Sequence, residues 1–408
     1  MSDDDVLVVN TIKEYIYDKD KWEYDEPFYV VNLNVVISQY NNWIMKLPNV
    51  KPYFAIKSNP DPKIIRILAK LGCNFDCASK NEMQTILDVV HDPSRIIFAN
   101  PCKMSSHIMF AKENDINLMT FDCIEELYKI KYHHPSAELL LRLCVDDSDS
   151  LCKFNSKFGC KLDEVEDVIK TIIDLQLNLV GFSFHVGSGC QNASSYYKAI
   201  QDCKFAYLIA LQYNIRTKII DIGGGFSGSN NIISFDEICK NIIDAQNKFF
   251  KNKIESNEIR FIAEPGRYFT EGTHTLVVNV MAKKKESDVI KYYLNEGVYG
   301  SFNCIHYDHQ KPVFEIISFS HNPVSEKSKK CYNSTFFGPS CDSMDVIYKD
   351  VQFPELNVGD WLYVKNFGSY TCAPSSCFNG FRLTDFQYIY PDNMPMLVSD
   401  SCTSSFSF

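Results

Sequence analysis

Long apolar segments are missing from this 408-residue sequence, which excludes some classes of protein. No apolar run reaches the roughly 18 to 20 residues that a membrane-spanning helix needs. The amino terminus, MSDDDVLVVN, has neither the basic segment nor the apolar segment of a secretory signal. We therefore predict a cytosolic protein without a membrane partner.

A basic surface is missing as well. The 41 Lys and Arg residues are outnumbered by 51 Asp and Glu, which gives a formal net charge of −10. Nucleic acids and anionic membranes attract proteins through fields of positive charge that gather around their phosphates. We therefore expect a small-molecule substrate and no nucleic-acid partner.

Metal-binding and disulfide patterns are absent although the chain has 16 cysteines. No two cysteines form a CxxC pair, and no histidine stands at zinc-finger spacing. Without a secretory signal, most cysteines are expected to be small buried hydrophobic residues. The sequence therefore predicts no metal site and no disulfide framework.

Short apolar runs alternate with helical segments over residues 35–270, and almost every run ends in a polar residue. The runs are PYFAIK (52–57), NFDCAS (74–79), RIIFAN (95–100), LMTFD (118–122), ELLLRL (138–143), LVGFSFH (179–185), KIIDIGGG (218–225) and IRFIAEP (259–265). Strands that alternate with helices indicate a parallel sheet, and eight such units predict a closed (β/α)8 barrel. Barrel enzymes place their sites where the carboxyl ends of the strands meet, so these polar residues are candidate site residues.

The pattern changes after Glu264. Runs such as TLVVNVMAKK, WLYVKNFG and FQYIYP are divided by Gly, Pro, Asn and Asp and have little helical periodicity, which indicates an antiparallel β domain. EPFYVVNL (26–33) is predicted to be a strand outside the barrel. We predict a barrel over 35–270 and a C-terminal β domain, 271–408, joined by residues 1–34.

Three strand-end residues carry side chains that could take part in catalysis. Lys57 would lie in a partly desolvated barrel mouth, where a lysine becomes a Schiff-base nucleophile; the alternative is an ordinary rim lysine. Glu264 in AEPGRYF could pair with a protonated ring nitrogen, or form a salt bridge to Arg267. His185 could stack on a flat ring, or be a core imidazole.

In two segments, FHVGSGC and DIGGGFSG, apolar residues are followed directly by glycine and serine. Bare backbone N–H groups at such positions can approach an anion closely, although a glycine run can also be a simple turn. The candidate phosphate cup comprises Gly187, Ser188, Gly189, Gly223, Gly224, Gly225 and Arg267. A lysine, a carboxylate for a ring nitrogen, a flat imidazole and a phosphate cup on one rim together predict pyridoxal phosphate as the cofactor.

Several long motifs resemble the family of eukaryotic ornithine decarboxylases. They include PYFAIKSNPDPKIIRILAKLGCNFDCASKNEM, GVYGSFNCIHYDH, FGPSCDSMD and NFGSYTCAPSSCFNGF, and the resemblance extends from about Tyr29 to Phe381. It implies an alanine racemase-like barrel with a C-terminal β domain, a head-to-tail homodimer with shared active sites, and conversion of L-ornithine to putrescine and carbon dioxide in polyamine biosynthesis.

The resemblance also implies residue roles. The cofactor-binding residues would be Lys57 as the Schiff-base lysine, Asp76, Arg142, His185, Ser188, Gly224, Gly225, Glu264, Gly266, Arg267 and Tyr370, with Glu82 in the same motif as Asp76. Tyr307, Asp308 and Asp342 would receive the distal amine of the substrate, and Cys341 would deliver a proton to the carbanion carbon. Lys157 and Asp345 would bridge the two subunits.

The sequence departs from the family pattern near Cys341, where Ser340, Ser343 and Met344 replace the expected threonine, glycine and leucine. Residues 105–127, which match the antizyme-binding segment of vertebrate relatives, contain only Lys112 as a lysine or arginine, so we expect weak or absent antizyme binding. Two alternative functions stay open: an antizyme-inhibitor-like regulator without catalysis, and a sister decarboxylase for lysine, arginine or diaminopimelate.

Overall fold

A computed structural model describes residues 3–18, 25–229, 233–317 and 330–391. The described residues within Val36–Phe269 form a barrel unit, and those within Met1–Val35 and Thr270–Asn393 form a β unit. The last residues of the predicted β domain, 392–408, lie outside the described ranges. No helix in the described ranges is both long and apolar enough to span a membrane.

The helices and strands are numbered here along the chain. The helices are α1 (Asp3–Asp18), α2 (Asn34–Lys46), α3 (Pro62–Leu71), α4 (Lys80–Val90), α5 (Ser105–Glu113), α6 (Ile124–His133), α7 (Val165–Asp174), α8 (Ser194–Gln212), α9 (Phe235–Phe249), α10 (Lys251–Glu255), α11 (Arg267–Thr270) and α12 (Cys304–Tyr307). The strands are β1 (Phe28–Asn32), β2 (Val50–Ala55), β3 (Asn74–Cys77), β4 (Ile96–Phe98), β5 (Leu118–Phe121), β6 (Glu138–Arg142), β7 (Ser150–Cys152), β8 (Asn178–Ser183), β9 (Ser188–Cys190), β10 (Ile219–Asp221), β11 (Arg260–Ala263), β12 (His274–Glu286), β13 (Val289–Leu294), β14 (Glu315–Ile316), β15 (Cys331–Phe337), β16 (Val346–Pro354), β17 (Trp361–Val364) and β18 (Asp385–Ile389).

The barrel is closed by eight parallel strands in the order β2, β3, β4, β5, β6, β8, β10 and β11, which confirms the predicted (β/α)8 barrel. Each of the eight predicted runs overlaps one of these strands, but the strands end earlier than predicted. Lys57, for example, lies just beyond β2 in a short 3₁₀ turn, Ile56–Ser58. The polar strand-end residues therefore belong mainly to the first turn after each strand, where side chains can face the barrel mouth.

An apolar layer fills the inside of the barrel below these ends. Its members are Tyr53, Ile97, Leu118, Leu140, Val180, Ile219 and Ile262, all of them buried. One residue from each of seven different strands contributes to this packed cluster of inward-facing side chains. This apolar layer lies directly below the polar groups of the barrel mouth.

Local sequence signals fix the connection that follows Lys57. Asp61 caps the start of α3, because its carboxylate accepts the backbone N–H of Lys63 at 2.7 Å, and Pro62 occupies the first helical turn. Gly72 ends the helix in the left-handed conformation, with φ of 90°. An N-cap of this kind stabilises a helix by about 1 kcal/mol. The Lys57 turn is thus held between a barrel strand and a well-capped helix.

The sheet of the β unit is mostly antiparallel, as predicted, with two parallel pairs. β12 pairs antiparallel with β1, β13 and β17, whereas β13 with β15 and β1 with β18 run parallel. Strand β1 lies where EPFYVVNL predicted a strand, but β15, β16 and helix α1 were not predicted. Helix α1 packs Val8, Ile12 and Ile16 against this sheet.

Candidate active site

An ion pair stands at the carboxyl end of β2 and β3. The Lys57 Nζ atom lies 2.6 Å from Oδ2 of Asp76, whose side chain is fully buried, whereas the Lys57 side chain is 39% exposed. Ala55 and Asp76 are register partners, which places the two side chains on adjacent strand ends. Burial raises the pKa of Asp76, and the charges of Lys57 and Arg142 partly oppose this shift. The lysine amine is therefore held in the barrel mouth against a carboxyl group.

Glu264, just after β11, carries a buried oxygen to which no N–H or hydroxyl group donates. This atom is Oε1, and it lacks a donor among the residues that the structure describes, while the Glu264 and Asp221 carboxyls form a side-chain hydrogen bond with each other. Burial raises the Glu264 pKa well above its usual range, and the neighbouring charges of Asp221 and Asp76 raise it further. A buried, unpaired carboxyl oxygen fits the N–H of a protonated pyridine ring, which would satisfy it.

His185, just beyond β8, is held as a neutral ring. Its Nδ1 accepts the backbone N–H of Gly187 at 3.0 Å, and Phe154 packs against its ring edge with centroids 4.9 Å apart. Burial, together with the positive charges of Arg142 and Lys57, lowers the His185 pKa well below its usual range. A neutral imidazole in one fixed orientation suits stacking on an aromatic cofactor ring.

The candidate phosphate cup brings together residues from three parts of the barrel unit. Arg267, at the start of α11, donates a hydrogen bond from Nη2 to Oγ of Ser188 at 3.1 Å. Gly187 and Gly225 have φ of +92° and +100°, and a Cβ on Gly225 would lie 2.7 Å from the Gly187 carbonyl oxygen. Only glycine fits this approach of two loops, which leaves backbone N–H groups accessible beside a guanidinium and a hydroxyl group.

The two other glycines assigned to the cofactor also permit close contacts. A Cβ on Gly224 would lie 2.8 Å from Nε2 of His185, and one on Gly266 would lie 2.9 Å from Cβ of Ser58. The Gly224 carbonyl accepts a hydrogen bond from the buried Tyr196 hydroxyl at 3.0 Å. The glycine run is thus fixed from behind by Tyr196 and faces the His185 ring in front.

Arg142, the last residue of β6, supplies positive charge to this cluster. Burial lowers its pKa, while the negative charges of Glu264, Asp122, Asp221 and Asp76 oppose that shift. Glu82 has a different role from the residues around it: Oε2 accepts the backbone N–H of Ala78, and its own N–H bonds to the Ser79 hydroxyl. This reciprocal pair caps helix α4.

Asp221 is a site residue that sequence reasoning missed. Its carboxyl is fully buried at the end of β10, and Oδ1 accepts the Gly223 N–H at 2.9 Å. Burial raises its pKa to about 7. The available signal was a carboxylate immediately before a glycine run, in DIGGG.

The predicted substrate residues lie in the β unit and differ in exposure. Asp308 is only 6% exposed and accepts a hydrogen bond from Nε2 of Gln310 at 2.6 Å. Asp342 accepts the Tyr299 hydroxyl, which lowers the pKa of Asp342. Tyr307 is 74% exposed. Two carboxylates of this unit are therefore oriented by hydrogen bonds within the chain.

Cys341 and Tyr370 lie on loops of the same unit. The Cys341 thiol is exposed, and its backbone N–H donates to Oδ1 of Asn379 at 2.9 Å. Tyr370 is half-buried and adopts a positive φ of 55°, which is uncommon for a residue other than glycine. Their roles as proton donor and phosphate ligand stay predictions.

Asp345 is 1% exposed and organises the loop that precedes Cys341. It accepts the backbone N–H groups of Val298 at 2.8 Å and Ser340 at 3.0 Å. Lys157 is exposed, with its ammonium 5.1 Å from the ring centre of Phe158. The predicted subunit bridge between Lys157 and Asp345 stays a prediction. Across the described ranges, no three His, Cys, Asp or Glu side chains converge as a metal site would require.

Comparisons with known proteins place this geometry in a family. Residues 33–271 match the model described as "Pyridoxal-dependent decarboxylase, pyridoxal binding domain". The chain is 44% identical over 375 residues to an ornithine decarboxylase of Schizosaccharomyces pombe, covering 90% of this chain and 84% of that protein. It is 39% identical over 402 residues to antizyme inhibitor 2 of Xenopus laevis, covering 94% and 86%.

A solved structure agrees with the fold. The arginine decarboxylase of Paramecium bursaria Chlorella virus superposes with a TM-score of 0.86 at 31% identity, over 93% of this chain and all of that one. The unpaired Glu264 oxygen and the glycine-lined cup match the ring nitrogen and the phosphate of pyridoxal phosphate. The cofactor is pyridoxal phosphate, and the chain belongs to the family of pyridoxal-dependent decarboxylases of the ornithine decarboxylase type.

Proposed function

We propose that this protein catalyses the decarboxylation of L-ornithine to putrescine and carbon dioxide, the first step of polyamine biosynthesis. The observation that carries the proposal is the combination of the Lys57–Asp76 ion pair with the unpaired buried oxygen of Glu264. A regulator that only binds other proteins has no need to keep two buried carboxyls and a lysine in this arrangement, since uncompensated burial of such groups costs free energy.

Pyridoxal phosphate, when bound, withdraws electrons from the carbon that loses carbon dioxide. The chain supplies the setting for that chemistry. The Glu264 carboxyl, with its buried Oε1, would keep the ring nitrogen protonated, and Lys57 presents its amine beside Asp76. His185 supports the ring as a neutral imidazole, and Arg267 and Ser188 receive the phosphate.

The substrate assignment rests on charge. Asp308 and Asp342 can together neutralise a distal ammonium group, and a carboxylate pair binds a cationic diamino acid far better than a neutral amino acid. Buried Asp308 is oriented by Gln310, and Asp342 by Tyr299, so neither carboxylate has to be reorganised on binding. A substrate with a distal carboxylate, such as diaminopimelate, would require a positive residue in place of Asp308.

A sister specificity is the main competing function, because the viral structural neighbour is an arginine decarboxylase. A longer cation needs a longer pocket, often with a different residue in place of Asp308. The HYDH motif that contains Asp308 favours ornithine. Ser340 and Ser343, which flank Cys341 and Asp342, are the residues most suited to change the selectivity.

An antizyme-inhibitor-like role is supported by the Xenopus laevis relative. Against it, Lys57, Asp76, Glu264 and Cys341 are all present, and the first two form an ion pair. We further propose a homodimer with shared active sites, in which Cys341 and Asp342 of one chain serve the barrel of its partner. Weak or absent antizyme binding and a cytosolic location stay predictions.

The experiment is a substrate comparison on purified protein. We expect visible absorbance from covalently bound pyridoxal phosphate, loss of this absorbance in Lys57→Ala, and release of carbon dioxide from ornithine well above that from lysine or arginine. A protein that binds the cofactor and releases carbon dioxide from none of the three would contradict catalysis. Faster release from lysine or arginine would contradict the assignment of ornithine.

A further inference from the structure

Asp221 is a buried acid that the proposed reaction leaves without a role. Its side chain has no exposed surface, and Oδ1 accepts the backbone N–H of Gly223 at 2.9 Å. Oδ2 is equally buried, and no N–H or hydroxyl group of the described residues donates to it. The Asp221 carboxyl instead forms a side-chain hydrogen bond with the carboxyl of Glu264. Burying two carboxyls against each other costs free energy, so their retention points to a task at the site.

Gly223 connects Asp221 to Glu264. The N–H of Gly223 bonds to Asp221, and its carbonyl oxygen accepts the backbone N–H of Glu264 at 2.7 Å. The glycine has φ of +61°, and a Cβ there would lie only 2.1 Å from the Phe184 carbonyl oxygen. Two hydrogen bonds on one sterically confined residue therefore join Asp221 to Glu264 and to the start of the glycine run.

The charges around Asp221 come from four other elements of the barrel mouth. Glu264 follows β11, Asp76 lies on β3, Arg142 ends β6, and Lys57 follows β2. Burial raises the pKa of Asp221 to about 7 and that of Glu264 well above its usual range, and the charge of Asp221 raises the Glu264 pKa further. The two hydrogen-bonded carboxyls therefore share one proton at a pH where exposed acids have lost theirs, because two negative charges cannot be buried side by side.

We propose that Asp221 is a positioning residue for the cofactor: its Oδ1 fixes the glycine run that receives the phosphate, and its carboxyl, hydrogen-bonded to Glu264, keeps Glu264 basic enough to hold the ring nitrogen protonated. The inference rests on the proposed function, in which Glu264 and the glycine run hold pyridoxal phosphate. The Asp221 side chain thus makes two contributions, a hydrogen bond and a charge. Different substitutions remove one or both of them.

The test uses Asp221→Asn and Asp221→Ala, with Asp202→Asn as the matched control. Asp202 is a half-buried carboxyl on α8, and burial alone raises its pKa. The dissociation constant of pyridoxal phosphate is measured by absorbance titration of each cofactor-free protein between pH 5.5 and 8.5, with thermal unfolding as the check on folding.

The asparagine variant keeps an acceptor for the Gly223 N–H, so its affinity near pH 6.5 should stay within about threefold of the wild type. The asparagine variant lacks the charge that raises the Glu264 pKa. Its affinity for pyridoxal phosphate should therefore begin to fall at a lower alkaline pH than that of the wild type. Asp221→Ala also loses the hydrogen bond, and its dissociation constant should rise about tenfold or more. Asp202→Asn should behave as the wild type.

If Asp221→Asn loses its affinity for pyridoxal phosphate at the same alkaline pH as the wild type, the charge contribution is refuted. Wild-type affinity in a folded Asp221→Ala would overturn the hydrogen-bond contribution. If Asp221→Ala does not fold, the pH shift in Asp221→Asn decides by itself. Carbon dioxide release from ornithine is measured separately. A wild-type protein that binds the cofactor without decarboxylating ornithine would refute the proposed function. The affinities of the Asp221 variants for the cofactor would still test the role of Asp221.

Discussion

The barrel unit and the β unit differ in how far their candidate site groups are buried. In the barrel, Asp76 is fully buried and lies 2.6 Å from Lys57, and the Glu264 Oε1 oxygen is buried without a donor. In the β unit, the Cys341 thiol is exposed and Tyr307 is 74% exposed. The groups proposed to hold the cofactor are thus organised within one chain, whereas two of the four groups proposed to act on the substrate are exposed.

The contrast follows from where each group is attached. The cofactor residues lie at strand ends, and closure of the barrel fixes the position of each end relative to its neighbours. Cys341 and Asp342 lie on a loop between β15 and β16. Loops tolerate substitution better than barrel strands do, so substrate choice can change while the cofactor chemistry is preserved.

Lys57→Ala should have the largest effect, because it removes the amine that the cofactor requires. We expect decarboxylation to fall by about 10³-fold or more and the visible cofactor absorbance to disappear. Lys57→Arg is the control, since it keeps a positive charge against Asp76 without the nucleophile. An active Lys57→Arg enzyme would show that the ion pair, and not the amine, matters.

Glu264→Gln should reduce the rate by about 10² to 10³-fold while the cofactor absorbance remains. The amide keeps the size of the side chain but cannot carry the negative charge that balances a protonated ring. Carbon dioxide release and cofactor absorbance are measured on the same sample. Full activity in this variant would remove Glu264 from the mechanism, and a partial recovery in Glu264→Asp would support a carboxylate there.

Mixing two inactive variants tests whether the exposed groups serve a partner chain. Lys57→Ala and Cys341→Ala subunits each lack one half of a site, so a mixed dimer has one intact site if sites are shared. A random equal mixture should recover about a quarter of the wild-type activity. Continued inactivity despite demonstrated subunit exchange would indicate that each chain builds its own site.

Asp308→Asn should weaken ornithine binding more than Asp342→Asn does. Asp308 is almost fully buried, and a buried charge that loses its partner costs more than an exposed one. We expect KM for ornithine to rise about 30-fold or more for Asp308→Asn and about tenfold for Asp342→Asn. The cofactor absorbance should be unchanged in both, and an equal effect would contradict the difference in burial.

The smallest effect concerns the stability of the cofactor-free protein. Asp221 has a folded-state pKa of about 7, above the value of about 4 expected in the unfolded chain. Between these values the folded state binds more protons, so this group lowers the free energy of unfolding as pH rises from about 4 to 7. Asp221→Asn should therefore be more stable relative to the wild type at pH 8 than at pH 5.

Urea unfolding of both cofactor-free proteins at the two pH values measures the difference. We expect the relative gain on going to pH 8 to be about 1 kcal/mol or more. A relative stability of Asp221→Asn that is independent of pH would mean that Asp221 is not the buried acid that titrates in this range. Such a result would also weaken its assigned influence on Glu264.

The barrel and its cofactor residues were predictable because each strand is an apolar run that ends in a polar residue. Convergence of those ends is a property of every parallel barrel, so Lys57, His185 and Glu264 could be placed together without a structure. Helix α1 was missed because Val8 and Val9, with Ile12 and Ile16, are β-branched residues that fit a strand equally well. Asp221 was missed because its importance comes from burial.

The parallel pairing of β1 with β18 was beyond sequence reasoning for another reason. Phe28 is the register partner of Asp385, a residue near the opposite end of the chain. Periodicity reports which face of a strand is buried, and turn residues report only which neighbours in sequence can form a hairpin. Neither signal extends over such a separation.

That same pairing sets an order of events on the ribosome. Strand β1 is translated before every barrel strand, yet its partners β12 and β18 are translated only after the whole barrel has been made. The barrel can fold as its strands appear, while the earliest strand waits, apolar and unpaired, for most of synthesis. The β unit is therefore completed only after β18 has been translated, later than every strand of the barrel.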